Sequence, residues 1–162
     1  MWIHFEYDGE SYDILEIKKD EVVALSKYNL NFYDLNKRDK IYSLSGFESF
    51  YANPGRKFCK VNDKILLVCG SNNLFLVDIQ AYQLIKQVEC QRISTLCKVS
   101  DDFVLSGQYC GDIKQWEVDG RVIKLYSYKN KAHQGEVYEI FKLNNFIISG
   151  CSKGEMKFWE FK

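Results

Sequence analysis

The sequence repeats itself with a period of about forty residues, and this repeat limits the fold more than any other feature. The segment Phe103–Glu117, shifted forward by 43 positions, falls on Phe146–Glu160 with seven of fifteen residues identical. Two weaker copies lie upstream, so four related units divide a single domain. The units span about 12–49, 56–90, 91–130 and 133–162, and the acidic residues that mark them, Asp34, Asp78, Glu117 and Glu160, are 44, 39 and 43 residues apart.

Within a unit, short apolar runs alternate with Asn, Gly, Asp and Ser, which is typical of strands joined by turns. In the third unit this pattern predicts four strands, at Ile93–Val99, Phe103–Gly107, Asp112–Val118 and Val122–Tyr128. Asp119-Gly120 is expected to form a two-residue hairpin turn. A sheet of four short strands cannot bury both of its faces alone, so we expect the four sheets to stack around an axis as a β-propeller.

Two of the units carry a motif that points to a known family. Ser-Gly-x-x-x-Gly-x-x-x-x-Trp-Glu occurs at 106–117 and at 149–160, and Ala132-His133 precedes Ser149 by sixteen residues. These residues resemble the Trp-Asp (WD) repeat, with Glu in place of the usual Asp. The resemblance implies an all-β propeller of about four WD-like, four-stranded blades.

In the resembled family, a His, a Ser or Thr, an Asp and the Trp form a hydrogen-bonded set of four within a blade. The resemblance gives this structural role to His133, Ser149 and Trp159 in the fourth unit, and to Ser106 and Trp116 in the third. Lys153 stands at the Asp position of unit four, while Cys90 and Cys110 stand at the His and Asp positions of unit three. Neither set is therefore expected to be complete.

The fourth unit carries three strand-like segments, while Trp2–Tyr7 forms an extra strand-like segment that belongs to no unit. We expect this N-terminal strand to complete the last blade, as ring closure in the resembled family implies. Three arrangements stay open: a closed four-bladed ring, one eight-bladed ring shared by two chains, and a half-propeller completed by a partner.

The overall composition excludes several classes of protein. The 22 basic and 22 acidic residues balance, so no global basic surface for nucleic acid is indicated. No apolar run approaches the roughly 20 residues of a membrane-spanning helix, and the acidic N-terminus is unlike a secretory signal. The six cysteines form no Cys-x-x-Cys pair and are expected to stay reduced. We expect a cytoplasmic or nuclear protein that does not associate with membranes.

No cluster of residues indicates chemistry. His4 and His133 have no acid or second histidine at metal-ligand spacing, so no metal site is predicted. The motif glycines lack the Gly-Lys-Ser/Thr ending of a phosphate loop, and no serine nucleophile elbow occurs. We therefore predict no catalytic residues, no cofactor and no enzymatic activity.

Function is then expected on exposed loops, where a rigid scaffold presents side chains to a protein partner. The predicted partner-binding residues lie on the rim that the resembled family forms from its strand b to c and d to a loops: Tyr28, Phe47, Phe50, Tyr51, Asn72, Arg92, Tyr109, Gln134 and Lys153. The rings of the irregular stretch 45–56 have two interpretations, because they either seal the blade edge or contact a partner. The predicted function is a non-enzymatic interaction scaffold; the alternative is a structural subunit, within a homo-oligomer or hetero-complex, whose blades complete a shared propeller.

Overall fold

The computed structural model describes residues 11–47, 57–70 and 72–160, which fold as strands and connecting turns. This part of the chain contains fifteen β-strands and no helix, and thus no helix long and apolar enough to cross a membrane. The strands form four antiparallel sheets in chain order, three with four strands and one with three. The prediction of an all-β fold built from repeated small sheets is confirmed.

We call the sheets blades 1 to 4. Blade 1 contains β1 (Ser11–Lys18), β2 (Glu21–Ser26), β3 (Asn29–Asp34) and β4 (Asp39–Ser45). Blade 2 contains β5 (Phe58–Lys60), β6 (Ile65–Cys69), β7 (Asn73–Asp78) and β8 (Gln83–Glu89). Blade 3 contains β9 (Ile93–Lys98), β10 (Phe103–Gln108), β11 (Ile113–Asp119) and β12 (Val122–Lys129). Blade 4 contains β13 (Val137–Leu143), β14 (Phe146–Cys151) and β15 (Met156–Glu160).

The predicted strands of the third unit agree with β9 to β12 to within one residue at every end. The predicted hairpin turn between β11 and β12 is wrong by one position. Asp119 pairs with Val122, so the two central residues are Gly120 and Arg121. Gly120 has φ +52° and Arg121 is not among the residues with positive φ. This is the type II′ pattern, which needs glycine at its first central position only.

Successive blades pack face to face, and each junction is an apolar layer. We call the face that a blade turns toward the next blade its forward face, and the opposite one its backward face. Blades 1 and 2 share a buried cluster that includes Phe32 and Phe75, and blades 2 and 3 share one that includes Leu76 and Trp116. Blades 3 and 4 share a third cluster, around Leu105 and Ile147. The sheets therefore stack as predicted, because each hides a face that it cannot bury alone.

A lysine bridge repeats at the same three junctions. Lys60 Nζ donates to the carbonyl of Ile17 at 2.6 Å, and Lys98 Nζ donates to that of Val61 at 2.6 Å. Lys142 Nζ donates in the same way to the carbonyl of Val99. Each bridge joins the end of one blade's innermost strand, or the residue just after it, to the innermost strand of the next blade. A hydrogen bond from a charged donor contributes more to stability than one from a neutral donor.

The innermost strands of all four blades line one central cavity of about 600 Å³. Its walls are formed by β1, β5, β9 and β13, so the sheets are arranged radially and not as two facing layers. This radial order is that of a β-propeller. The predicted N-terminal strand, Trp2–Tyr7, lies outside the described residues, and its role in completing blade 4 stays a prediction.

Candidate interaction site on the rim

The antiparallel order of the strands decides which loops share an end of the molecule. The turns that join the second and third strands of each blade lie at the same end as the connections between blades. Backbone hydrogen bonds join the two kinds of loop in every blade: Phe47 N to Tyr28 O, Cys90 N to Asn72 O, Tyr109 N to Arg92 O and Ser152 N to Glu136 O, all between 2.8 and 3.1 Å. These hydrogen bonds hold the two kinds of loop together along one rim of the molecule.

Arg92 and Tyr109 form the best-defined contact on this rim. The Arg92 guanidinium lies 4.3 Å from the centre of the Tyr109 ring, within the range of a cation–π interaction. Burial and the nearby Glu136 carboxylate raise the pKa of the Tyr109 hydroxyl, which the Arg92 charge opposes. Burial likewise raises the pKa of Glu136, against the attraction of Lys57 and Arg92. Blades 3 and 4 thus meet at a cluster of aromatic, basic and acidic groups.

Gln134 and Lys153 lie close together on the neighbouring blade. Gly135 separates Gln134 from Glu136, and a Cβ on Gly135 would approach Ser152 Oγ to 2.5 Å and Lys153 Cγ to 2.9 Å. Both Gln134 and Lys153 are exposed. We call the surface formed by Arg92, Tyr109, Gln134, Glu136 and Lys153 the rim patch. Sequence analysis did not single out Glu136, because nothing in its local pattern distinguishes it from other surface acids.

The remaining predicted contact residues lie elsewhere. Tyr28 is 52% exposed on blade 1 with Lys27 Nζ 4.9 Å from the centre of its ring, and Asn72 is exposed on blade 2. Phe47 is 1% exposed and packs against Phe75, with ring centres 4.7 Å apart, so its expected place in a partner surface is corrected to a place in the core. Phe50 and Tyr51 lie outside the described residues.

Blade 4 contains a complete hydrogen-bonded set, which sequence analysis did not expect. Trp159 Nε1 donates to Ser149 Oγ at 2.8 Å, and His133 Nε2 lies 2.6 Å from the same oxygen. His133 Nδ1 lies 3.0 Å from Glu155 Oε2. The acid is therefore Glu155, which lies two positions beyond Lys153 and directly before β15. Its longer side chain reaches the His133 ring from this position.

This network also identifies a donor on the His133 ring. A carboxylate can only accept, so Nδ1–H donates to Glu155, and in a neutral ring Nε2 accepts from the Ser149 hydroxyl. A hydrogen bond from Lys157, followed by that from His133, holds the pKa of the Glu155 carboxyl below its usual value of 4.5. Every polar group of the set has a partner, as buried polar groups require.

The order Ser149, His133, Glu155 matches the hydrogen-bond sequence of a serine hydrolase triad. Two observations oppose that chemistry here. Ser149 is 0% exposed, so a substrate carbonyl has no route to its oxygen. The same oxygen already accepts the Trp159 indole N–H. The arrangement fastens the third strand of the blade to the loop before its first strand.

Blade 3 keeps the Ser and Trp but replaces the other partners. Trp116 Nε1 donates to Ser106 Oγ at 2.8 Å, and Gln108 Nε2 donates to the same oxygen at 2.7 Å. Gln108 is completely buried. Cys90 and Cys110, at the expected His and Asp positions, take no part in these bonds. Burial raises the pKa of the Cys90 thiol to about 11, whereas Cys110 is exposed.

One cluster has the composition of a metal site. His133, Cys151 and Glu155 bring ligand atoms to within 4.8 Å of one another, a cluster that the sequence did not reveal. Both ring nitrogens of His133 are hydrogen-bonded, and Glu155 also pairs with Lys157 at 3.0 Å. The hydrogen-bond network accounts for this cluster without a metal ion.

Comparison with known proteins supports the fold but not a family assignment by sequence. No protein-family model and no curated protein matches the sequence. Among solved structures, the chain is similar to the computationally designed Ika4 protein, with a TM-score of 0.78 and 19% identity over 97% of this chain and 94% of the other. Its similarity to the WD40 beta propeller domain of Doa1 has a TM-score of 0.78 and 12% identity over 97% of this chain and 53% of the other.

A third similar structure is a chain of a mitotic checkpoint complex, with a TM-score of 0.72 and 9% identity over 88% of this chain and 46% of the other. The chain thus spans about half the length of the last two proteins and nearly all of Ika4. Identities this low establish the fold alone. The chain is a β-propeller whose structural neighbours include WD40 domains.

Proposed function

We propose that this propeller is a non-enzymatic scaffold that binds a peptide or protein partner through the rim patch. The observation that carries the proposal is the Arg92–Tyr109 stack, held at 4.3 Å on a braced loop pair. Arginine and tyrosine are common anchors of protein interfaces, and side chains ordered before binding lose less entropy when a partner docks.

The charges of the patch favour an acidic or polar segment in the partner. Arg92 and the exposed Lys153 carry positive charge beside the Tyr109 ring. The acid of the patch, Glu136, lies near two basic groups, Lys57 and Arg92, whose charges offset its own. A partner that places a carboxylate against Arg92 and an apolar group on Tyr109 satisfies both residues.

The test is selection of ligands from a random-peptide display library, followed by fluorescence anisotropy with the peptides obtained. We expect enrichment of acidic sequences and at least a tenfold loss of affinity, or about 1.4 kcal/mol, in the Arg92→Ala, Tyr109→Ala double variant. Tyr128→Ala is the matched control, because Tyr128 is an exposed tyrosine on β12. Equal binding to the wild type and the double variant would remove the rim patch from the proposal.

A further inference from the structure

The forward face of blade 4 is apolar and exposed, unlike the forward faces of the other blades. In its middle row Phe141 pairs with Ile148, and Ile148 pairs with Phe158. Phe141 is 50% exposed and Phe158 is 63% exposed. The equivalent row of blade 2 ends at Leu76, which is 0% exposed beneath blade 3. A contiguous apolar surface of this kind marks an interaction site.

The backward face of blade 1 is the other candidate for this surface, but most of its middle row is already covered. Ala24 and Asn31 are 4% and 3% exposed, whereas Ile14, which pairs with Ala24, is 62% exposed. The lysine bridge also fails on both sides of this junction. Glu16 pairs with Val22 in the register that Lys98 has with Val104, so a carboxylate stands where the other blades have their donor.

Blade 4 lacks the acceptor as well. In blade 1 the strand register shifts after the bridging position, and in blade 3 the amides of Val99 and Ser100 both donate to the Phe103 carbonyl. The residue in this irregular turn offers its own carbonyl to the lysine: Ile17 or Val99. In blade 4 Lys142 and Leu143 pair in unbroken register with Ile147 and Phe146. This turn is one residue shorter, with Asn144 at φ +54°. A closed ring, or two chains joined blade 4 to blade 1, would therefore lack the bridge found at every internal junction.

We propose that the forward face of blade 4 binds the same face of a second copy of this chain, so that two three-stranded sheets pack face to face about a two-fold axis. Sheets stack in this way when each has one apolar face, with their strand directions roughly aligned. An isologous interface must be self-complementary, and the two acids of this face are placed so that they do not meet their counterparts in the other copy.

The two acids of the face stand at diagonal corners. Glu139 is in the row with Gly150 and Met156 on one side of the middle row, and Glu160 pairs with Phe146 on the other. A two-fold axis along β14 places each Glu139 over Met156 of the other copy. An axis across the strands places it over Leu143. In neither arrangement do two carboxylates meet, and in both Ile148 faces its own copy.

The area is sufficient for a specific but modest dimer. Five large side chains of the face are half-exposed or more: Phe141, Leu143, Phe146, Met156 and Phe158. If each loses about 100 Å² on binding, the two copies bury roughly 1,000 Å² in total, which is near the lower limit for a specific interface. We expect a dimer that dissociates on dilution.

The experiment is sedimentation equilibrium of the full chain over a micromolar to submillimolar concentration series. We expect a monomer–dimer equilibrium, and Phe158→Lys should weaken the dimer at least tenfold because it places a charge in the apolar layer. Tyr128→Lys, at a residue 64% exposed on blade 3, should leave dimerisation unchanged. Met156→Lys, 62% exposed on β15, replaces Phe158→Lys if that variant does not fold.

Cross-linking tests the orientation independently. In a Cys110→Ser background, which removes the exposed thiol, Ile148→Cys should be joined into a covalent dimer by a short bis-maleimide, because packed sheets lie about 10 Å apart, too far for a direct disulfide. Tyr128→Cys in the same background should not. A monomer at every concentration would overturn the proposal. A dimer insensitive to both lysine variants, or assemblies larger than a dimer, would also overturn the proposal.

Discussion

Blades 3 and 4 share seven of fifteen motif residues, but they are stabilised differently. In blade 3, Ser106 receives bonds from Trp116 and from Gln108 of the same strand. In blade 4, Ser149 joins Trp159 to His133, which precedes the first strand, and His133 continues the chain to Glu155. The Ser–Trp pair is therefore the constant element of both blades. The third group bonded to the serine oxygen differs, being Gln108 in blade 3 and His133 in blade 4.

Burial separates the two tryptophans more than hydrogen bonding does. Trp116 is 3% exposed between blades 2 and 3, whereas Trp159 is only partly buried. We expect Trp116→Ala to lower the free energy of unfolding by roughly 3–5 kcal/mol, through lost apolar contact and a cavity. Trp159→Ala should cost less, because part of its surface already meets water. Urea denaturation followed by circular dichroism gives both values, and equal losses would contradict the distinction.

The lysine bridges allow a second comparison, between the middle and the last of the three junctions. We expect Lys98→Met to lower the free energy of unfolding by about 1 kcal/mol, since it removes the charged hydrogen bond to the Val61 carbonyl and an exposed ion pair with Asp101, which adds little. Lys142→Met should have a smaller effect, because the junction it joins is the last of the three. Lys86→Met, at an exposed position on β8, is the control. Unchanged stability in Lys98→Met would show that the bridge contributes nothing net.

Glu155 gives the smallest expected effect and a sign that can be checked. Its pKa in the folded protein is lowered below 4.5, so its charged form adds stability above that pH, and the contribution is lost as pH falls through the lowered value. We therefore expect wild type to exceed Glu155→Gln in stability near neutral pH and the difference to shrink under acid. Thermal unfolding at a series of pH values measures it. A difference independent of pH would assign the role of Glu155 to packing and not to charge.

Several features were predictable because they depend on local sequence. The apolar runs and the turn residues between them placed β9 to β12 to within one residue. The repeat of those runs predicted four stacked sheets, since small sheets bury their faces only against one another. The Ser and Trp of the motif were also found, because both occupy fixed positions within one repeat.

Other features were not predictable because they depend on which side chains extend far enough to contact one another in the folded protein. Glu155 replaces the acid expected at 153, and Gln108 replaces a histidine, because a longer side chain can deliver the same group from a different backbone position. The place of Phe47 in a loop left two interpretations, sealing the blade or contacting a partner, and its ring fills the layer between blades 1 and 2. Glu136 lies in the rim patch because the fold brings it close to Tyr109 and Arg92.

The strand pattern, the four-fold repeat and the stacking of the sheets follow from the periodicity of apolar side chains, which can be read from the sequence. Which faces are covered, and which side chains meet, depends on how the blades pack. Such contacts join residues that are distant in the chain, as when Lys98 reaches Val61 or Arg92 stacks on Tyr109. A periodic pattern specifies that a face is apolar, whereas the packed arrangement of the blades specifies what lies against it.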